Sequence, residues 1–313
     1  FFVFTKDISM VESGKAGDSR NKEVVTGSAT YEGETKEGMK HGMGTLTWDD
    51  GDQYVGEFRF DEKTTGTFRW KVGDTYTGEW KNSLMHGKGT YTYKNGRRYE
   101  GQWFCGYKQG FGVFSWPNKD IYVGEFLKDM CNGVGIQSYS ADGRIYKGQW
   151  ANNRKHGYGI LRLKNNEKIE GQWSTNRLVD RAIHTEANGE RFEEFYRDGI
   201  AEGNRKPLHR TGAEMEQVLK ATTPPTWQPD AKAPTCNSCN VPFTLFNRRH
   251  HCRHCGQVFC KDCTNYQCVI DRFNMLTEQR VCGECFLAIK TDIKIEIPEF
   301  LQTAAGDLAQ YCN

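Results

Sequence analysis

The sequence predicts a mainly β protein: an elongated stack of β-hairpins, then a short helix and linker, then a small cysteine-rich unit. Three observations predict it. A phrase of 22–24 residues recurs from Tyr31 onward, a helix-capping signal and paired prolines follow it, and eight of the 12 cysteines fall into four Cys-x-x-Cys pairs between Cys236 and Cys285.

Composition sets the frame. A chain of 313 residues has room for about two domains of ordinary size. Its apolar share of 37% is below the roughly 45–50% of an average globular chain. Its 34 glycines exceed the usual share of about 7%, so a single compact core is not expected. The net charge of +2 excludes a general basic field and with it nucleic acid as a partner, leaving only local electrostatic sites. No apolar run approaches the roughly 18 residues of a membrane span. The opening "FFVFTKDISM" has no initiator Met, basic flank or signal-peptide run, so residues 1–30 read as a lead-in from inside a longer chain.

The repeated phrase starts at Tyr31, Tyr54, Tyr76, Tyr99, Tyr122, Tyr146 and Ile169, in steps of 23, 22, 23, 23, 24 and 23 residues. Gly33, Gly56, Gly78, Gly101, Gly124, Gly148 and Gly171 hold its third position. Phe58, Trp80, Trp103, Phe126, Trp150 and Trp173 hold the fifth in six of the seven copies. Tyr-x-Gly-x-Trp has the period of two that marks a strand with one aromatic and glycine face. The Gly-x-Gly run that follows reads as the return strand, and Asp50-Gly51, Asn95-Gly96, Asp142-Gly143 and Asn188-Gly189 supply tight turns between copies. Each copy is then one hairpin. Glycine weakens an isolated strand, so its regular placement predicts that an aromatic of one copy lies over the glycines of the next. At about 4.8 Å per strand, seven hairpins would form a rod or trough roughly 65–70 Å long.

This unit resembles the MORN repeat over residues 31–197, with Tyr-x-Gly followed by His-Gly-x-Gly kept best around His41, His86 and His156. Copy two carries Lys63-Thr64-Thr65-Gly66 in place of His-Gly-x-Gly. Copy seven has Val179-Asp180-Arg181, which puts its second hairpin strand in question. The resemblance implies a protein-interaction trough or scaffold, a protein partner on that trough, and homodimers. Mixed Lys and Glu, as in "KEGMK" and "RRYEGQ", read as a solvated surface.

Residues 198–226 form the linker. Thr211 with Glu214 makes a Thr-x-x-Glu capping box ahead of "MEQVLKA", predicting a short helix from near Thr211. The prolines of "TTPPT" stop it, so the following unit is expected to move semi-independently.

In the absence of a secretory signal, the paired cysteines favour metal over disulfides. Cys236, Cys239, Cys252, Cys255, Cys260, Cys263, Cys282 and Cys285 are enough for two tetrahedral sulfur-only zinc sites, and closed sites of this kind are structural, not hydrolytic. Spacing alone admits sequential or interleaved pairing. Cys105, Cys131, Cys268 and Cys312 stand outside the pairs and read as inert thiols.

Around the cysteines lie Trp227-x-x-Asp230, then "RRHHCRHCG" at residues 248–256, then Arg280-Val281-Cys282. Together they resemble the FYVE finger over residues 227–289, leaving 290–313 as a C-terminal tail. The resemblance implies a cross-brace with two structural Zn2+ ions: Cys236, Cys239, Cys260 and Cys263 on one, Cys252, Cys255, Cys282 and Cys285 on the other. It also implies binding of phosphatidylinositol 3-phosphate. Arg248, Arg249, His250, His251, Arg253 and Arg280 would meet its phosphates and Asp230 its inositol hydroxyls, while Leu245 and Phe246 would enter the membrane. Guanidinium forks suit phosphate oxygens, and the half of "FTLFN" expected in the core is Phe243.

The function class so predicted is a non-catalytic adaptor, cytoplasmic and peripheral on endosomal membranes. The alternative is a cytoskeletal or ubiquitin-ligase-like scaffold whose finger docks protein. No P-loop, paired carboxylates or Ser/His/Asp arrangement points to an enzyme.

Overall fold

A computed structural model describes residues 29–203, 205–208 and 210–311; most of the lead-in and Cys312 lie outside the described residues. Fifteen strands make up the repeats. They are β1 (Ala29–Lys36), β2 (Met39–Trp48), β3 (Gln53–Arg59), β4 (Glu62–Arg69), β5 (Thr75–Lys81), β6 (Leu84–Thr92), β7 (Arg98–Phe104), β8 (Tyr107–Ser115), β9 (Ile121–Leu127) and β10 (Met130–Ser138), followed by β11 (Ile145–Ala151), β12 (Arg154–Arg162), β13 (Lys168–Ser174), β14 (Arg177–Thr185) and β15 (Arg191–Arg197). The chain divides into two compact units. One gathers residues 29–143, 149–154 and 294–311; the other gathers 144–148 and 155–293.

In the first unit β1 to β10 pair antiparallel in chain order. Inside each copy two successive residues adopt the left-handed conformation, as at Phe60-Asp61 (φ 48° and 68°) and Lys128-Asp129 (φ 48° and 69°). That pair matches the right-handed twist of the strands it joins. The second of the two is often Asp or Asn because its side chain stitches copies together: Asp61 N donates to Lys40 O while Lys40 N donates to Asp61 Oδ1, both at 2.9 Å. Asp129 and Lys108 repeat the exchange at 3.0 Å. Between copies, Gly51 and Gly96 take positive φ in turns such as the one closed by Gly51 N donating to Trp48 O.

The glycines serve a closer purpose than the sequence reading gave them. Each tyrosine lies over the glycines of its own copy, not the next: a β-carbon on Gly89 would sit 2.3 Å from Tyr76 Oη, and one on Gly78 2.6 Å from the same atom. Neighbouring copies are joined instead through the fifth position. Trp103 Nε1 donates to Gly89 O at 3.0 Å, and the Tyr76 ring meets Trp80 and Trp103 edge-on at 5.0 and 5.3 Å. Such pairs add about 0.5–1.5 kcal/mol beyond area burial. Tyr54, Tyr76, Tyr99, Tyr122 and Tyr146 are the largest wholly buried side chains.

In the second unit β12 to β15 continue the antiparallel order. The doubt over copy seven is corrected here. β14 is a full strand paired on both sides, with Asp180 in the left-handed conformation (φ 59°) at the aligned position of Gly157 (φ 60°). Short strands β16 (Ile200–Ala201) and β17 (Lys206–Pro207) pair with β15. Helix α1 (Gly212–Lys220) begins at the capping box, with Thr211 Oγ1 accepting from Glu214 N and Glu214 Oε2 accepting from Thr211 N.

Candidate functional site

The finger grows from two tight turns of the same design. Cys236 N donates to Val241 O and Asn240 N to Cys236 O; Cys252 N donates to Gln257 O and Gly256 N to Cys252 O. Asn240 and Gly256 both carry positive φ, and at Gly256 a β-carbon would lie 2.7 Å from the Thr226 carbonyl. The glycine of "RHCG" is therefore fixed by backbone geometry. β18 (His250–His251) pairs with β19 (Val258–Phe259), β20 (Tyr266–Ile270) with β21 (Met275–Val281), and α2 (Gly283–Thr291) starts from Cys282.

These elements bring Cys236, Cys239, Cys260 and Cys263 into one cluster and Cys252, Cys255, Cys282 and Cys285 into another, with all four sulfurs of each set within 4.8 Å of one another. A tetrahedral site with bonds of about 2.3 Å places its sulfurs about 3.8 Å apart, and Cys239 Sγ lies 3.8 Å from Cys260 Sγ. Eight thiols in this arrangement fit two structural Zn2+ ions, which would cross-link a core of Phe259, Ile270, Phe273, Val281 and Ala288. The thiols outside the clusters differ in setting. Burial pushes Cys131 up to about 12 and Cys268 up to about 11, while Cys105 is exposed in a hairpin turn.

The second cluster is tied to the last hairpins. Glu284, between Cys282 and Cys285, pairs with Arg191 of β15 and, at 3.1 Å, with Arg210; all three are buried. Burial opposes the charge on Arg210, but Cys255, Cys285 and Glu284 outweigh it and push its pKa up. Arg181 of β14 pairs with Glu193 and lies 5.5 Å from the Tyr266 ring, and a β-carbon on Gly283 would strike its guanidinium. Tyr158 meets Phe286 edge-on at 5.9 Å, and Met215 of α1 is buried in the finger core. The expected semi-independent movement of the finger is thus corrected: the linker helix is part of its core, and charged groups from copy seven are buried against it.

The basic strand is half-buried. Arg248 and Arg249 are exposed, and His250, His251 and Arg253 are partly covered. Arg249 Nε donates to Ala233 O at 3.1 Å and its guanidinium lies 4.9 Å from the half-buried Phe243 ring. His251 Nε2 donates to Gln228 O at 2.8 Å, lies 3.7 Å from Asp230 Oδ1, and its ring stacks on Trp227 at 4.7 Å. Arg253 lies 4.2 Å from the same indole. Trp227 and Arg253 therefore wall the strand. Arg280 Nη1 is buried without a hydrogen-bond partner. Desolvation first, then Arg280, Lys261 and Arg248, hold the His250 pKa below its ordinary value. Lys261 belongs to this basic face and was missed in the sequence because it stands outside the signature, between Cys260 and Asp262. Leu245 and Phe246 are 88% and 99% exposed at a loop tip held by Thr244 Oγ1, which accepts from Phe246 N and Asn247 N.

Hairpin repeats joined to two sulfur-only knots across one small core define a repeat protein with a structural zinc finger. Family comparison gives both parts: the chain carries MORN repeats at residues 31–53, 76–97, 99–121, 122–144 and 146–168 and a FYVE zinc finger at residues 226–291. Copies two and seven, where the sequence departs from the pattern, are not among the matched stretches. Over 77 residues the chain is 44% identical to the hepatocyte growth factor-regulated tyrosine kinase substrate of Drosophila melanogaster, covering 25% of this chain and 10% of that protein. The chain thus matches a tenth of that relative's length. Among solved structures it is similar to the VHS and FYVE tandem domains of HRS (46% identity, 22% of this chain and 30% of that chain, TM-score 0.21). It is also similar to the LM5-1 FYVE domain from Leishmania major (41% identity, 23% of this chain and 84% of that chain, TM-score 0.22). Among the described residues no helix is long and apolar enough to cross a membrane.

Proposed function

We propose that this protein is a non-catalytic adaptor whose finger binds phosphatidylinositol 3-phosphate on endosomal membranes while the MORN repeats hold a protein partner or a second copy. The observation that carries the lipid reading is the gathering of Arg280, Lys261 and Arg248 around His250, with Arg248, Arg249 and Lys261 exposed beside it. Like charges this close repel one another, and a phosphate monoester supplies acceptors for the exposed guanidinium and ammonium donors and offsets their charge. Arg248, Arg249, His250, His251, Arg253 and Arg280 are assigned to the phosphates and Asp230 to the inositol hydroxyls. Leu245 and Phe246, whose side chains find almost no cover in the protein, supply the second, apolar attachment that one weak anchor needs. The eight cysteines hold the two zinc ions that keep this face rigid.

Sedimentation with phosphatidylcholine vesicles, with and without the 3-phosphorylated lipid, tests the reading. The zinc-loaded chain should pellet only with the phosphorylated vesicles. Arg248→Ala and Arg280→Ala should each weaken binding about 10–100-fold, the worth of a charge-assisted contact, with two zinc ions retained. Equal sedimentation with both vesicle types would leave the finger as a protein-docking module.

A further inference from the structure

An antiparallel sheet with one face packed on a core ordinarily presents polar side chains on the other. The first three hairpins follow this rule except at Val55. On the face opposite the tyrosines, Glu32, Thr45, Val55, Thr67, Thr77 and Thr90 stand directly across from one another in turn. The same row then continues through Glu100 to Val113, Val123 and Ile136. Those last three are only 4%, 0% and 0% exposed.

Their cover has to come from outside the hairpins, and the first compact unit also gathers residues 294–311. Two contacts place that segment on the repeats: Lys88 Nζ of β6 lies 4.5 Å from the centre of the Phe300 ring, and the turn Gly306–Tyr311 packs against β10. The segment is amphipathic. Leu301, Ala305 and Leu308 are buried, while Gln302, Thr303, Gly306 and Asp307 between them are exposed. Spacing of i, i+4 and i+7 is one helical stripe, built here from helix α3 (Gln302–Ala305) and flanking 3-10 turns.

We propose that the outer face of β6 to β10 is a binding groove for a short helical segment with aliphatic side chains at i, i+4 and i+7, and that the chain fills it with its own residues 294–311. A partner of that chemistry reaches the repeats only by displacing this built-in occupant. The proposal does not depend on the lipid reading, and its test contains no membrane.

The test uses the full chain with Leu301→Asp and Leu308→Asp together, compared with the unaltered protein. Amide exchange over residues 294–311 should accelerate about 100-fold or more, given the apolar burial the two leucines lose. A fluorescent synthetic peptide of residues 294–311 should bind the doubly substituted chain and not the unaltered one. Val123→Thr, which restores the residue type of the earlier hairpins, should speed exchange of the same segment about 10-fold. Zinc content of two per chain and unchanged strand signal certify the fold in each case. Exchange that stays the same in the double variant, or a peptide that binds both proteins alike or neither, overturns the proposal.

Discussion

Glu284→Gln is the sharpest probe of how the finger is held. The substitution keeps the side chain's size and removes its charge, leaving Arg191 and Arg210 buried without their carboxylate. Removing one partner of a buried ion pair costs about 3–5 kcal/mol, mostly because the remaining charge stays desolvated. In a unit of roughly 150 residues each kcal/mol moves the melting midpoint about 2–4 °C, so the loss should be about 6–20 °C. Differential scanning calorimetry of the zinc-loaded chain measures it, with metal analysis confirming two zinc ions. Adding Arg191→Met removes one of the stranded charges, so the double variant should recover about 1 kcal/mol or more relative to the sum of the single effects. A midpoint for E284Q within about 2 °C of the parent would correspond to less than about 1 kcal/mol. The ion pairs would then be incidental, and the aromatic contacts of Tyr158 and Arg181 would have to hold the finger alone.

Stripping the metal with a chelator should unfold the finger and expose the Glu284 contacts, while the strand signal of β1 to β10 persists in circular dichroism; binding of structural zinc is itself folding free energy. Gly89→Ala should destabilise by about 1–3 kcal/mol in a denaturant melt, because the new β-carbon meets Tyr76 Oη and its ring at 2.3–2.5 Å, and Tyr76 Oη is already committed to the carbonyls of Glu79 and His86. On the proposed lipid reading, Leu245→Ser with Phe246→Ser should weaken vesicle binding about 10–100-fold at unchanged melting temperature, since both side chains are exposed and lose no packing within the protein.

Much of this molecule was legible in the sequence because its signals are local. The period of two in Tyr-x-Gly-x-Trp, the turn pairs such as Asp50-Gly51 and the Thr211–Glu214 box each specify backbone within a few residues, and the strands, turns and helix lie where those signals put them. The four Cys-x-x-Cys pairs specify metal but not which pairs combine, because pairing depends on how β18 to β21 bring distant turns together. What escaped were the contacts made across long separations. Arg191, Arg210 and Glu284 look like three ordinary surface charges until β15 and α2 meet. The buried Lys108, whose ammonium lies 5.4–5.8 Å from the rings of Phe114, Tyr99 and Tyr93 and 3.6 Å from Asp129, looks solvated in a list of mixed charges. The change from Thr67, Thr77 and Thr90 to Val113, Val123 and Ile136 was readable in principle, but only once the cross-strand register was known.

Copy seven shows why a broken pattern is not a broken fold. In the other copies a tyrosine ring roofs two glycines; copy seven has Ile169 for the tyrosine and Ala182 for the second glycine. A β-carbon on Gly171 would meet Ala182 Cβ and Leu178 Cδ1, both at 2.9 Å, so a methyl and a leucine branch occupy the space that a phenol fills elsewhere. The aligned partner of Leu178 in copy six is the buried Lys155, and Leu178 and Ala182 are themselves buried. Volume is conserved while the aromatic signature is lost, the kind of exchange a packed core tolerates best. Between the replaced positions, Arg181 stands where the Gly-x-Gly copies carry a variable outward residue, and it is this residue that reaches Gly283 and Tyr266 of the finger. In copy seven the replacements toward the tyrosine side thus preserve packing, and the residue at the variable outward position, Arg181, helps seat the zinc finger.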